Sequence, residues 1–281
     1  MINQWLEIIP DKYAEQIVVY ELDRLEEIRL CVGQPLTLRF SNREERLWPR
    51  QTQEDLEQVL ASACRQSVYS HTETIRQGYI TIEGGHRIGI CGFGIYSNSA
   101  VKTIMNISSL VIRVAHQVIG CANELMEEVE DSVLIIGPPG SGKTTLLRDV
   151  IRQISDKKKQ RVGLADERGE LSAGAFGVPQ LDIGSRTDVL INLPKNEAAM
   201  MLLRTMNPQW IAMDEITSPE DIAVMDKISY CGVSLLATAH AENPQELDMR
   251  PLYKELLKKG IFSKVVVLNR DKNFYVQEVS N

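Results

Sequence analysis

The chain has 281 residues, 43% of them hydrophobic and 25% charged, enough for two modest domains or one large one around a substantial core. A formal charge of -7 and a pI near 5.3 argue against a surface built mainly to bind nucleic acid. The five cysteines are odd in number, far apart and never in a Cys-x-x-Cys pair, which points to a reducing cytosol rather than a disulfide framework or zinc site. No apolar run approaches the ~20 residues that span a bilayer, and the start MINQWLEIIPDKYAEQ lacks a basic region followed by an apolar one. Work at a membrane would need a partner to hold the chain there.

The first part reads as short strands and a helix. In EEIRLCVGQPLTLRF, Ile28, Leu30 and Val32, then Leu36, Leu38 and Phe40, alternate on either side of a turn at Gly33 to Pro35. TQEDLEQVLASAC follows as a helix with Thr52 and Asp55 near capping-box spacing and Leu56, Val59, Leu60 and Ala63 on one face. GYITIEGGHRIGICG reads as a hairpin whose three-residue loop, Gly84 to His86, sets Ile82 opposite Ile88 and Ile80 opposite Ile90. That register puts Arg87 on the polar face beside Glu83. Residues 95 to 108 have weak periodicity and read as connection or edge strand, and SLVIRVAH, 109 to 116, is one more strand. These elements make an N-terminal α+β domain over 1 to 118.

From 119 to 281, short apolar runs alternate with helices, the pattern of a mainly parallel sheet covered on both faces. SVLIIG, QRVGLAD, WIAMDEI, VSLLATAH and KVVVLNR are the expected strands. After the first, Gly137, Gly142, Lys143 and Thr144 complete G-x-x-x-x-G-K-[ST], and the loop opens a helix with Leu146, Leu147, Val150, Ile151 and Ile154 on one face. Such a loop cradles phosphates with its backbone N–H groups, so Gly137, Pro138, Pro139, Gly140, Ser141, Gly142, Lys143, Thr144 and Thr145 are the expected nucleotide-binding residues. Lys143 is placed to reach the β and γ phosphates, and Thr144 to ligate Mg²⁺.

WIAMDEI ends in Asp214, a second Mg²⁺ ligand, and Glu215, placed to polarise an attacking water. No guanine-reading N-K-x-D is present, which weakens a GTPase reading, and a small-molecule kinase would have less use for Glu215. Thr238 and His240 end the next strand, where a polar side chain can sense a γ phosphate. Asp166, Glu167 and Glu170 cluster in GLADERGEL and, by themselves, read as a solvated loop, as Lys157, Lys158, Lys159 and Arg161 read as a solvated helix end.

Together GPPGSGKTT, LADERGEL, LLRTMNPQWIAMDEI and GVSLLATAHAENP resemble, in order and spacing over roughly 130 to 245, the ATPases of type II and type IV secretion and pilus assembly. The resemblance implies a RecA-like P-loop core behind a smaller α+β domain, and roles for Glu167 and His240 beside the nucleotide. It also implies arginines from the N-terminal domain completing the site, for which Arg87 and Arg113 are the candidates. Where that family often has glycine before the glutamate and arginine two residues after it, this chain has Asp214 and Thr217. Over nearly the whole length, EEIRLCVGQPL, GYITIEGGHRIGICG, VIRVAHQVIG and GPPGSGKTTLLRD are similar to the stage III AA sporulation family of endospore-forming bacteria.

That second resemblance implies an ATPase using ATP and Mg²⁺ in the mother-cell cytoplasm. It would be a homo-hexamer docked on a membrane protein of the channel that joins mother cell to forespore. Loss of the γ phosphate would then be spent on rigid-body movement passed to that partner. Two rivals are a nucleic-acid-stimulated RecA-like ATPase, against which the acidic pI speaks, and a slowly hydrolysing, nucleotide-dependent assembly scaffold.

Overall fold

Period-two alternation in the first part of the chain gives a sheet with one apolar and one polar face. The computed structural model describes residues 4–64, 75–76, 78–97, 100–174 and 177–279, and the chain divides into two units, Met1–His116 and Gln117–Asn281.

The first unit runs α1 (Asp11–Ile17), β1 (Leu25–Cys31), β2 (Pro35–Phe40), β3 (Arg43–Arg50), α2 (Gln53–Ala63), β4 (Tyr79–Thr81), β5 (Arg87–Ser97) and β6 (Ala100–Arg113). The strands form one six-stranded sheet, β3-β2-β1-β6-β5-β4, antiparallel at every described pairing. Tyr13 and Ile17 of α1 and Leu56 and Val59 of α2 share one core with Ile28, Leu38, Ile88 and Ile112 of the sheet. Ile28 pairs with Leu38, as alternation about the Gly33 turn requires, but Val32 stays outside the core at 38% exposure.

The β4–β5 hairpin departs from the expected register. Ile80 lies opposite Ile88, and the connection is Ile82 to His86, closed by Gly85 N–H to Ile82 O at 3.0 Å and Ile82 N–H to His86 O at 2.9 Å. Gly84 and Gly85, at φ 83° and 78°, take the left-handed turns that a longer loop needs. The slip is two residues, an even number, so Ile80, Ile82, Ile88 and Ile90 all remain buried. Residues 95 to 108 are not a connection: apart from 98 and 99, which lie outside the described residues, they belong to β5 and β6. Register shifts at Cys91/Phe93 and Ile95/Tyr96 and a left-handed Asn106 (φ 46°) erase the period-two signal there.

The second unit runs β7 (Val133–Ile136), α3 (Lys143–Asp156), β8 (Val162–Asp166), β9 (Thr187–Ile191), α4 (Lys195–Thr205), β10 (Trp210–Met213), α5 (Pro219–Ser229), β11 (Ser234–Ala239), α6 (Pro244–Met249), α7 (Pro251–Lys258), β12 (Lys264–Leu268) and β13 (Phe274–Glu278). Its seven-stranded sheet has the order β13-β12-β7-β11-β10-β8-β9, parallel except for β13. β7, β8 and β10 are buried at every position, which is why they read as short continuous apolar runs. This is the RecA-like α/β core expected from the sequence. β11 lies between β7 and β10, so the residues following those three strands come out side by side at one edge of the sheet.

Candidate active site

The loop after β7 is shaped by what its glycines lack. A Cβ on Gly137 would collide with the Leu268 carbonyl and lie 2.7 Å from Ser141 Oγ, while Gly140 (φ 77°) and Gly142 (φ 100°) are left-handed. Gly142 begins α3 without a side-chain cap, so the first-turn N–H groups have no partner from that residue. The Ser141 hydroxyl is buried with no protein partner. A helix N-terminus behind a glycine cradle, with an orphaned hydroxyl in it, fits a polyphosphate.

Lys143 lies folded over this loop. Its Nζ donates to the carbonyls of Gly137 at 2.9 Å and Pro138 at 3.0 Å and sits 3.1 Å from His240 Nδ1. Burial lowers the ammonium from its ordinary value, opposed by the charges of Asp214 and Glu215. An ammonium only donates, so His240 Nδ1 is the acceptor and Nε2 carries the proton. That Nε2 meets Glu215 Oε1 at 3.2 Å, and Arg168 Nη1 meets Glu215 Oε2 at 3.3 Å. Lys143 is thus hydrogen-bonded to His240, whose other ring nitrogen lies within ion-pair distance of Glu215.

Asp214 is held by two hydroxyls. Thr144 Oγ1 donates to its Oδ2 at 3.0 Å and Thr238 Oγ1 to its Oδ1 at 2.5 Å. Thr144 and Asp214 thus present oxygen donors on one spot, the set that suits a Mg²⁺ ion keeping most of its water. The Thr238 hydroxyl is turned to Asp214 and accepts the Glu215 N–H at 2.8 Å.

The acidic box divides. Asp166 is a buried structural carboxylate that accepts the N–H of Leu171 (3.2 Å) and both the N–H (2.8 Å) and hydroxyl (2.6 Å) of Ser172. Arg148 closes the same loop on the carbonyls of Leu171 and Glu170 at 2.6 and 2.7 Å. Glu167 lies 3.6 Å from Lys195 Nζ. Sequence reasoning missed Lys195 and Arg168. Arg168 stands inside the acidic box itself, and the only signal for Lys195 is a lysine at a helix start, where the dipole disfavours it.

Arg87 and Arg113 belong to the first unit, on neighbouring strands in direct register. The Arg87 guanidinium stacks over the Tyr79 ring at 3.6 Å, and Arg113 faces Glu27 across β1. With Arg29 they line a shallow hollow on the polar face of the sheet.

A sequence model of the family described as sporulation stage III, protein AA matches residues 6–279. Stage III sporulation protein AA of Bacillus subtilis (strain 168) is 35% identical over 281 residues, 96% of this chain and 92% of that protein. SEEDLING PLASTID DEVELOPMENT 1 of Arabidopsis thaliana is 27% identical over 91% of this chain, which spans 36% of the plant protein. Among solved structures, the pilus retraction motor PilT with bound ADP superposes with a TM-score of 0.67 at 16% identity, over 95% of this chain and 83% of that one. The ATPase DotB of Legionella pneumophila gives 0.60 at 15% identity, over 95% and 79%. Identities this low carry the fold, that of the RecA-like secretion ATPases.

Proposed function

Because this chain belongs to the sporulation stage III protein AA family, we propose that it is a Mg-ATP-hydrolysing motor of the secretion-ATPase type. The motor energises or assembles a membrane-spanning channel between mother cell and forespore. The observation that carries this reading is the convergence, at the ends of β7, β10 and β11, of Lys143, the Thr144–Asp214 pair, Glu215 and His240.

The residues divide the work as follows. The loop from Gly137 to Thr145 binds the phosphates through backbone N–H groups and Lys143, which exchanges the Gly137 and Pro138 carbonyls for phosphate oxygens. Thr144 and Asp214 hold the cation. When bound, Mg-ATP supplies the scissile phosphoanhydride and a divalent charge that offsets the charge developing on the phosphoryl oxygens. Glu215 orients water and accepts its proton, and His240 reports on Lys143 to that carboxylate through its two ring nitrogens. Glu167 acts through Lys195 rather than on phosphate. Arg87 and Arg113 are the candidates to reach a neighbouring subunit's nucleotide in a hexamer. In that hexamer the chain is cytoplasmic and held at the forespore membrane by a membrane protein of the channel complex. Among the described residues no helix is long and apolar enough to cross a membrane.

Nucleotide binding and phosphate release on purified variants test the reading. Glu215→Gln is expected to bind ATP like the wild type and lose turnover by at least about 100-fold, and Lys143→Ala to lose binding, turnover or both. Ordinary turnover by Glu215→Gln would remove Glu215 from the role of orienting water.

A further inference from the structure

Lys195 stands where a lysine is expensive: at the first position of α4, against the positive end of the helix dipole, and only 8% exposed. Its surroundings explain the placement. Nζ donates to the Glu215 carbonyl at 2.5 Å and lies within 3.4 Å of the Asp214 carbonyl and 3.3 Å of Thr217 Oγ1. Two carboxylates flank it, Glu167 and Asp221, each at 3.6 Å.

The segment it grips is strained. Glu215 has φ 50°, a left-handed conformation that a non-glycine residue adopts only when its surroundings enforce it. On one side, Thr238 takes the Glu215 N–H at 2.8 Å and its carbonyl takes the Ile216 N–H at 2.8 Å. On the other, Lys195 takes the two carbonyls that flank the turn. Asp221 does not need Lys195 to cap α5, since it accepts the N–H groups of Thr217 (2.9 Å) and Ser218 (3.1 Å).

We propose that Lys195 is a positioning residue for hydrolysis, a buried cation that holds the left-handed turn at Glu215 and ties it to the acidic box through Glu167. It sets where the Glu215 carboxylate points and touches no phosphate. This rests on the reading of Glu215 as the residue that orients water.

The test uses the full chain and two variants, Lys195→Gln and Lys195→Arg, with the wild type and Glu215→Gln alongside. Hydrogen exchange of the nucleotide-free chain comes first, because it does not depend on turnover. The amides of Glu215 and Ile216 should exchange about 10-fold faster in Lys195→Gln, with α5 unchanged. Then kcat should fall about 100-fold in Lys195→Gln and about 10-fold in Lys195→Arg, while affinity for ATP, followed with a fluorescent analogue, stays within about threefold. The guanidinium retains the charge but not the compact three-donor point, hence the partial rescue. Unchanged exchange together with kcat within twofold of wild type would overturn the proposal, and so would a parallel fall of kcat, affinity and Tm. If Lys195→Gln does not fold, Lys195→Arg decides, and wild-type exchange and kcat in it count against the proposal. Absent turnover in the wild type, or normal turnover in Glu215→Gln, would instead defeat the reading of the site, leaving the exchange result to stand by itself.

Discussion

At the scale of single residues, a buried histidine of the first unit has a strongly displaced titration. His86 is 7% exposed and its Nδ1 accepts the Ala115 N–H at 3.0 Å. Burial, and secondarily the neighbouring His116, pushes its pKa down from 6.5 to about 4. Between those values the unfolded chain holds a proton that the folded one refuses. Stability from this group is therefore complete above pH 6.5 and is lost as pH falls toward 4, by about 3 kcal/mol across the window. Urea unfolding of the full chain at the two ends of that window should show the loss. His86→Asn, whose carboxamide oxygen can take the Ala115 N–H, should flatten the slope, and an equal slope in the variant would place its source elsewhere. Residue types at the candidate site were legible because a phosphate-loop pattern dictates its own glycines, lysine and threonine. Their contacts were not: a lysine at a helix start is the one local mark of Lys195 and names none of its partners, and no local pattern shows that Thr238 turns to Asp214.

At the scale of elements, local signals held where they were local in origin. Thr52 and Asp55 do form a capping box, with Asp55 N–H to Thr52 Oγ1 at 3.2 Å and Thr52 N–H to Asp55 Oδ2 at 2.9 Å. The structure adds Lys12 of α1, whose Nζ lies 2.6 Å from Asp55 Oδ1. The two halves of the box are thus unequal. Thr52→Ala should cost about 1 kcal/mol and Asp55→Ala about 2 kcal/mol, since the second also strands Lys12. Equal shifts in urea midpoint would deny Lys12 any part in fixing α1 to α2. The strands that escaped the sequence reading are β3, β9 and β13. In β3 only Leu47 is buried, and β9 and β13 bury no residue fully, so none writes a strong alternation into the chain. Lys158 is likewise no solvated helix end: its Nζ is bound to the Val129 carbonyl, a partner 29 positions away.

For the whole molecule, the described residues form one hydrophobic cluster in the first unit and two in the second, and the candidate site lies at one edge of the second unit's sheet. The prediction at this scale is oligomeric. Glu215→Gln, measured by light scattering at several protein concentrations, is expected to shift to about six subunits with Mg-ATP and to stay smaller without it. A monomer throughout would mean either that a ring needs a membrane partner as template or that the likeness to secretion ATPases does not extend to assembly. The sequence by itself determined the α/β class, the glycine-rich loop and the order of the candidate-site motifs, because each arises from neighbours along the chain: apolar runs, glycine spacing, a charged pair after a strand. Only the tertiary structure decided the hairpin register, the burial of Asp166 and the union of Lys195, Glu167 and Glu215. The order β7-β11-β10-β8 brings together segments that the chain keeps tens of residues apart, and a hydrogen bond is chosen by distance in space.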